Sequence, residues 1–236
     1  MKEKRSRAQK KYIFTAGLFV LFIVYTFLVM TIDRQHIGPN NSEVGFATVN
    51  QAVFQALGRS DFWYSFTEYL GYIAILVVLG FGIVGLYQMI RRKNFFRTDL
   101  DILVLGGFYI VLAAIYVFFE KVVINYRPVL EEGQLEASYP SSHTMLVCCV
   151  MATAILQFNR MIKNQTIRIL VDIVAVSMIA LMVLGRLLSG VHWLTDIIGG
   201  VIISAALVML YLSVVQMLKD KIRRKIAKRQ AERNVV

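Results

Sequence analysis

Charged residues are scarce in this chain: 17% are Asp, Glu, Lys or Arg, while 57% are hydrophobic. A soluble globular domain carries about a quarter charged residues, so this composition excludes one and points to an integral membrane protein. Cysteine is scarcer still. Cys148 and Cys149 are adjacent within an apolar run, and neighbouring cysteines seldom bridge each other. A disulfide framework is excluded, and both read as small buried apolar residues. Acidic residues are too few to balance the basic ones, leaving a net charge of +11. A nucleic-acid partner would explain that excess if the cations formed a stripe on one domain. They instead flank apolar segments, which excludes nucleic acid and fits contacts with membrane lipids.

What the chain has in abundance is long apolar runs, at about 12–32, 65–90, 100–123, 143–159, 168–186 and 194–218. Each is near the length that crosses a bilayer, and unpaired backbone groups are not tolerated in lipid. The expected fold is therefore all-α: one membrane-embedded domain over residues 1–236, built as a bundle of six transmembrane helices. The run from Tyr12 to Ile32 is too long for a cleaved signal peptide and reads as an uncleaved first helix. Residues 1–11 and 219–236 read as basic tails.

The basic residues set the orientation. Six lie in the N-terminal tail, four at 91–97, three at 160–168 and eight in the C-terminal tail, together 21 of the 26. Positive charge stays with the cytoplasm, so both termini are expected there, in a multi-pass plasma-membrane protein. The absence of organellar or lipidation signals fits a bacterial plasma membrane. The outer side keeps Arg34, Arg59, Lys121, Arg127 and Arg186. Three of these five belong to polar clusters described below, and ionisable residues at helix ends that defy the charge bias signal function. In the first outer loop, Phe46, Val49, Val53 and Leu57 recur at helical spacing opposite Asn50, Gln51 and Gln55. That pattern predicts an extracytoplasmic interfacial helix. Gly80, Gly82 and Gly85 match the spacing of a dinucleotide fingerprint but lack the strand that must precede it; close helix packing is the expected role.

Three polar clusters interrupt the apolar pattern at outer helix ends. The first is Lys121 with Arg127-Pro128. Arginine suits multidentate phosphate recognition, whereas Lys121 is open to a snorkelling role beside Glu120. Pro140-Ser141-Ser142-His143 opens the fourth span, where free N–H groups of a first helical turn attract anions; ordinary N-capping is the bland alternative. Gly185-Arg186, His192 and Asp196 form the third. His192 and Asp196 are one helical turn apart, so the carboxylate can hold one imidazole nitrogen and leave the other free to attack. A helix-terminal pair that only satisfies polar groups is the alternative there. All three clusters fall on one side, as the charge count independently requires.

These residues resemble the type 2 phosphatidic acid phosphatase superfamily. Its pattern is a lysine, six residues and Arg-Pro; then Pro-Ser-Gly-His; then Ser-Arg, five residues, His, three residues and Asp. The resemblance covers about residues 121–196 and implies roles. Lys121, Arg127 and Arg186 would grip phosphate oxygens with Ser141 and the Ser142 amide. His192 would form a phosphohistidine, oriented by Asp196. His143 would protonate the leaving oxygen and then activate water. No metal or cofactor is implied, because fixed cations and N–H groups offset the phosphoryl charge.

This chain departs from the pattern in three places. Five residues, not six, separate Lys121 from Arg127, so either the helix unwinds before Pro128 or Lys121 is not a phosphate ligand. Ser142 replaces a glycine, and Gly185 replaces a serine. The expected function is a membrane phosphatase acting at the outer face on a lipid phosphate. Undecaprenyl pyrophosphate, phosphatidylglycerol phosphate and phosphatidic acid are the candidate substrates. The alternative is a phosphorylated-lipid or anion binding or transport protein, which has no need of a nucleophile at His192.

Overall fold

The computed structural model describes residues 2–93 and 98–233; Arg97, counted above on the inner side, lies outside them. Seven α-helices follow one another: α1 (Lys2–Thr31), α2 (Ala47–Leu57), α3 (Asp61–Arg92), α4 (Leu100–Lys121), α5 (Ser142–Met161), α6 (Gln165–Ser189) and α7 (Leu194–Arg233). All but α2 are long and apolar enough to cross a membrane, which gives the expected all-α bundle. A two-stranded hairpin, β1 (Gln35–His36) and β2 (Glu43–Val44), precedes α2.

Hydropathy sorts the helices into layers. α5 has a mean hydropathy of 1.4, against 2.4–2.6 for the other five spans, yet more than half of its apolar window is buried. Its polar side chains cannot face lipid without an unsatisfied group, so α5 becomes the axis. Buried Thr153 donates back to Cys149 O at 2.8 Å, and buried Gln157 donates to Tyr211 of α7. α3, α6 and α7 pack around α5, and α1 and α4 lie against α7. The outer helices present Phe14, Ile23, Phe27, Leu76, Ile83 and Ile110 outward, a lipid-facing surface.

Small residues set how closely the axis is gripped. A Cβ at Gly199 would lie 2.6 Å from the Tyr139 ring, and one at Gly200 would lie 3.0 Å from Ser141 O. Both glycines therefore pack within the bundle. A Cβ at Gly85 would lie 3.1 Å from Ile102 of α4, but one at Gly80 or Gly82 would meet no other part of the described residues within 4 Å. Close packing thus explains one of those three glycines and is withdrawn for the other two. Cys148 and Cys149 are free and buried in α5, as expected.

The interfacial helix exists as α2, but with a different inner face. Asn50, assigned to the polar side, is buried, whereas Val49 and Leu57 are exposed. The reason is hydrogen bonding. Asn50 donates to Gly45 O at 2.8 Å and to Thr195 Oγ1 at 2.9 Å, and accepts from Thr195 N at 3.2 Å. It satisfies a free first-turn N–H of α7, which outweighs the apolar pattern of its neighbours.

Candidate active site

α4 ends at Lys121, where Val122 leaves helical geometry at φ −100°, ψ 83°. The following chain doubles back on itself. Arg127 N donates to Glu136 O at 3.1 Å and Ser138 N donates to Asn125 O at 2.9 Å, while Gly133 turns the chain at φ +79°. A positive φ of that size suits glycine, which has no Cβ to clash. This ribbon brings Arg127, Asn125 and Ser138 onto the same end of the bundle as the start of α5.

Asp196 lies in the first turn of α7 and reaches back to the Trp193 N–H at 2.9 Å, half of a capping box. Its oxygens also accept from Ser138 Oγ at 2.5 Å and from Asn125 Nδ2 at 3.3 Å. The separation between Asp196 Oδ2 and His192 Nδ1 is 3.9 Å, too long for a hydrogen bond. The expected direct carboxylate–imidazole contact is therefore replaced by a relay through Ser138. Ser138 Oγ lies 3.0 Å from His192 Nδ1, and Ser138 O lies 3.2 Å from the same nitrogen. A hydroxyl has one proton, and Ser138 gives it to Asp196. His192 must then donate from Nδ1, which leaves the Nε2 lone pair free.

That Nε2 is buried and, among the described residues, has no hydrogen-bond partner. Burial first, then the charges of Arg127 and Arg186, push the His192 pKa well below its ordinary value. Both effects penalise the imidazolium and favour the neutral ring.

Arg186 occupies the last turn of α6 and is completely buried. Its Nη2 donates to Glu68 Oε1 of α3 at 2.7 Å, and its guanidinium lies 5.8 Å from the Tyr64 ring centroid. Nε and Nη1 have no hydrogen-bond partner among the described residues. Arg127 is similar: Nη2 pairs with Glu136 at 3.2 Å, and the buried Nε has no hydrogen-bond partner among the described residues. Buried donors are normally satisfied, so these three nitrogens are available to anionic oxygens. His143, in the first turn of α5, pairs through Nε2 with Glu68 Oε2 at 3.2 Å and leaves Nδ1 without a partner among the described residues.

Ser141 is the N-cap residue of α5, yet its side chain caps no backbone N–H. Its Oγ accepts from Thr144 Oγ1 at 3.0 Å, and its own proton is left for another acceptor. Capping therefore does not explain this serine. Ser142 follows as the first helical residue, half-buried. Lys121 stands apart: it is exposed at the end of α4. The helix does unwind before Pro128, the first of the two readings of the short spacing, but the structure does not bring Lys121 into the cluster.

Three members of this constellation escaped the sequence reading: Asn125, Ser138 and Glu68. Glu68 carried a signal, because it is the sole charged residue in the run 65–90, and an intramembrane carboxylate is a functional candidate by default. Asn125 and Ser138 carried less. Polar residues in a loop are ordinary, and only the ribbon reveals their shared partner.

The fold and the site together describe an integral membrane helix bundle with histidines, arginines and carboxylates gathered at one end. Residues 119–220 match the model of the PAP2 superfamily, a segment holding all three sequence clusters. The resemblance read from the motifs is thereby supported independently. The chain also shares its fold with the first transmembrane PAP2 type phosphatidylglycerolphosphate phosphatase from Bacillus subtilis, known from its crystal structure. That similarity has a TM-score of 0.56 and 21% sequence identity, covering 88% of this chain and 96% of the other. No curated protein sequence matches this chain.

Proposed function

We propose that the protein is a lipid phosphate phosphatase working through a phosphohistidine, with its site at the extracytoplasmic face. The observation that carries this reading is His192: a buried imidazole whose Nε2 has no hydrogen-bond partner among the described residues, within electrostatic reach of Arg127 and Arg186. In the first step His192 Nε2 attacks phosphorus and the bond to the leaving oxygen breaks, with His143 supplying that oxygen's proton. In the second, His143 takes a proton from water as the water oxygen attacks phosphorus. The N–P bond then breaks and releases phosphate. Arg127 and Arg186 offset charge on the equatorial oxygens, the dominant task in phosphoryl transfer. Ser141 and the α5 amides, Ser142 included, extend that cradle. Lys121 reaches the phosphate only if its exposed side chain folds inward.

Phosphatidic acid, phosphatidylglycerol phosphate and undecaprenyl pyrophosphate are the substrates to rank. Phosphate release by the purified protein in detergent, with a chelator present, tests the reading. Release should persist with the chelator and fall at least about 10³-fold in His192→Ala, since that variant removes the nucleophile of a covalent pathway. Loss of release from every lipid, with lipid phosphate binding intact, would instead favour a binding or transport protein.

A further inference from the structure

The phosphatase reading leaves Glu68 without a role. We infer that Glu68 of α3 is a positioning residue for the proton donor, holding the His143 ring through one carboxylate oxygen while its other oxygen pairs with Arg186. This rests on the phosphatase reading above.

Each oxygen of Glu68 has its own partner: Oε1 takes Arg186 Nη2 at 2.7 Å, and Oε2 takes His143 Nε2 at 3.2 Å. Glu68 thus joins the end of α6 to the start of α5. The bond at His143 Nε2 leaves Nδ1 as the nitrogen for proton transfer, because the buried Nδ1 has no other partner among the described residues. A carboxylate on one imidazole nitrogen fixes the orientation of the ring.

The packing is built to admit this contact. A Cβ at Gly185, beside Arg186, would lie 2.5 Å from Thr67 Cγ2 and 3.2 Å from Trp63. A Cβ at Gly71, one turn from Glu68, would lie 3.0 Å from His143 Cδ2. Two glycines therefore let α3 touch both residues that Glu68 bridges. The serine expected at position 185 would hold α3 away. Glu68 lies outside the segment matched at 119–220, so the third helix adds a group to a site otherwise built from that segment.

A proton donor matters most when the leaving group is poor. Glu68→Gln, in the full-length protein in detergent, is compared on phosphatidic acid, whose leaving group is an alcohol, and p-nitrophenyl phosphate, whose leaving group is stable as an anion. We expect the single-turnover rate of phosphohistidine formation from phosphatidic acid to fall about 10–100-fold, with less than a threefold change from p-nitrophenyl phosphate, because only this first step depends on the leaving group. In a His143→Ala background, the same substitution should cost less than twofold on phosphatidic acid. Equal losses on both substrates, or no loss on either, would overturn the inference while leaving the phosphatase reading intact. Inactivity of the unaltered protein on both would remove both readings. Should Glu68→Gln fail to fold, Glu68→Asp keeps the charge and shortens its reach. It must show the same leaving-group dependence for the inference to stand.

Discussion

At the residue scale the site depends on small groups that place larger ones. Ser138 is the clearest case, because the Asp196 carboxylate is too far from His192 to bond it and acts through the serine hydroxyl. Ser138→Ala leaves His192 its contact with the backbone carbonyl but cuts the link to Asp196. We expect kcat to fall about 10–100-fold, about 1.4–2.7 kcal/mol of transition-state stabilisation, with KM within about twofold. Steady-state kinetics on the preferred lipid checks this, and an unchanged kcat would mean that Asp196 needs no relay. The eight site residues named from the motifs fare unevenly. His143, His192, Arg127, Arg186, Ser141 and Asp196 lie in one hydrogen-bonded or electrostatic neighbourhood, and Ser142 adjoins them as the first residue of α5. Lys121 does not join them. Sequence spacing located it at a helix end but could not say which way an unwinding chain would turn.

At the element scale, the junction between α6 and α7 decides whether Arg186 and His192 share a site. Gly190 terminates α6 at φ +68°. A Cβ there would lie 2.4 Å from Gly58 O and 2.9 Å from Arg59 Cα, both backbone atoms. Gly190→Ala combines a left-handed penalty with a clash that no side-chain rotation relieves. A loss of about 2–3 kcal/mol follows, seen as a fall of about 5–10 °C in Tm in detergent. Activity should fall with it. Gly17→Ala is the control, since nothing lies within 4 Å of its added Cβ, and its Tm should stay within about 2 °C. The same scale explains the correction to α2. Periodicity identified a helix there, but periodicity ranks residues by polarity. A buried Asn50 with partners on α7 overrules such a ranking.

At the scale of the whole molecule, the charge distribution predicts both tails in the cytoplasm and the site outside. Cysteine labelling tests this, because native Cys148 and Cys149 are buried and contribute little background. Gln134→Cys, exposed on the ribbon next to the site, should react with a membrane-impermeant maleimide on intact cells. Lys221→Cys, exposed on the extension of α7, should react only after permeabilisation. The reverse pattern would turn the bundle over and put the site in the cytoplasm.

The number of spans, their helical nature and the motif residues were determined by the sequence alone. The cause is that lipid permits few backbone solutions, and phosphate chemistry needs few residue types. Tertiary structure decided what lies between them. The ribbon set Ser138 between His192 and Asp196. Asn50 turned α2 inward. Glycines at 71 and 185 let α3 carry Glu68 to two partners. Each of these depends on distances between segments remote in sequence, which no local pattern encodes.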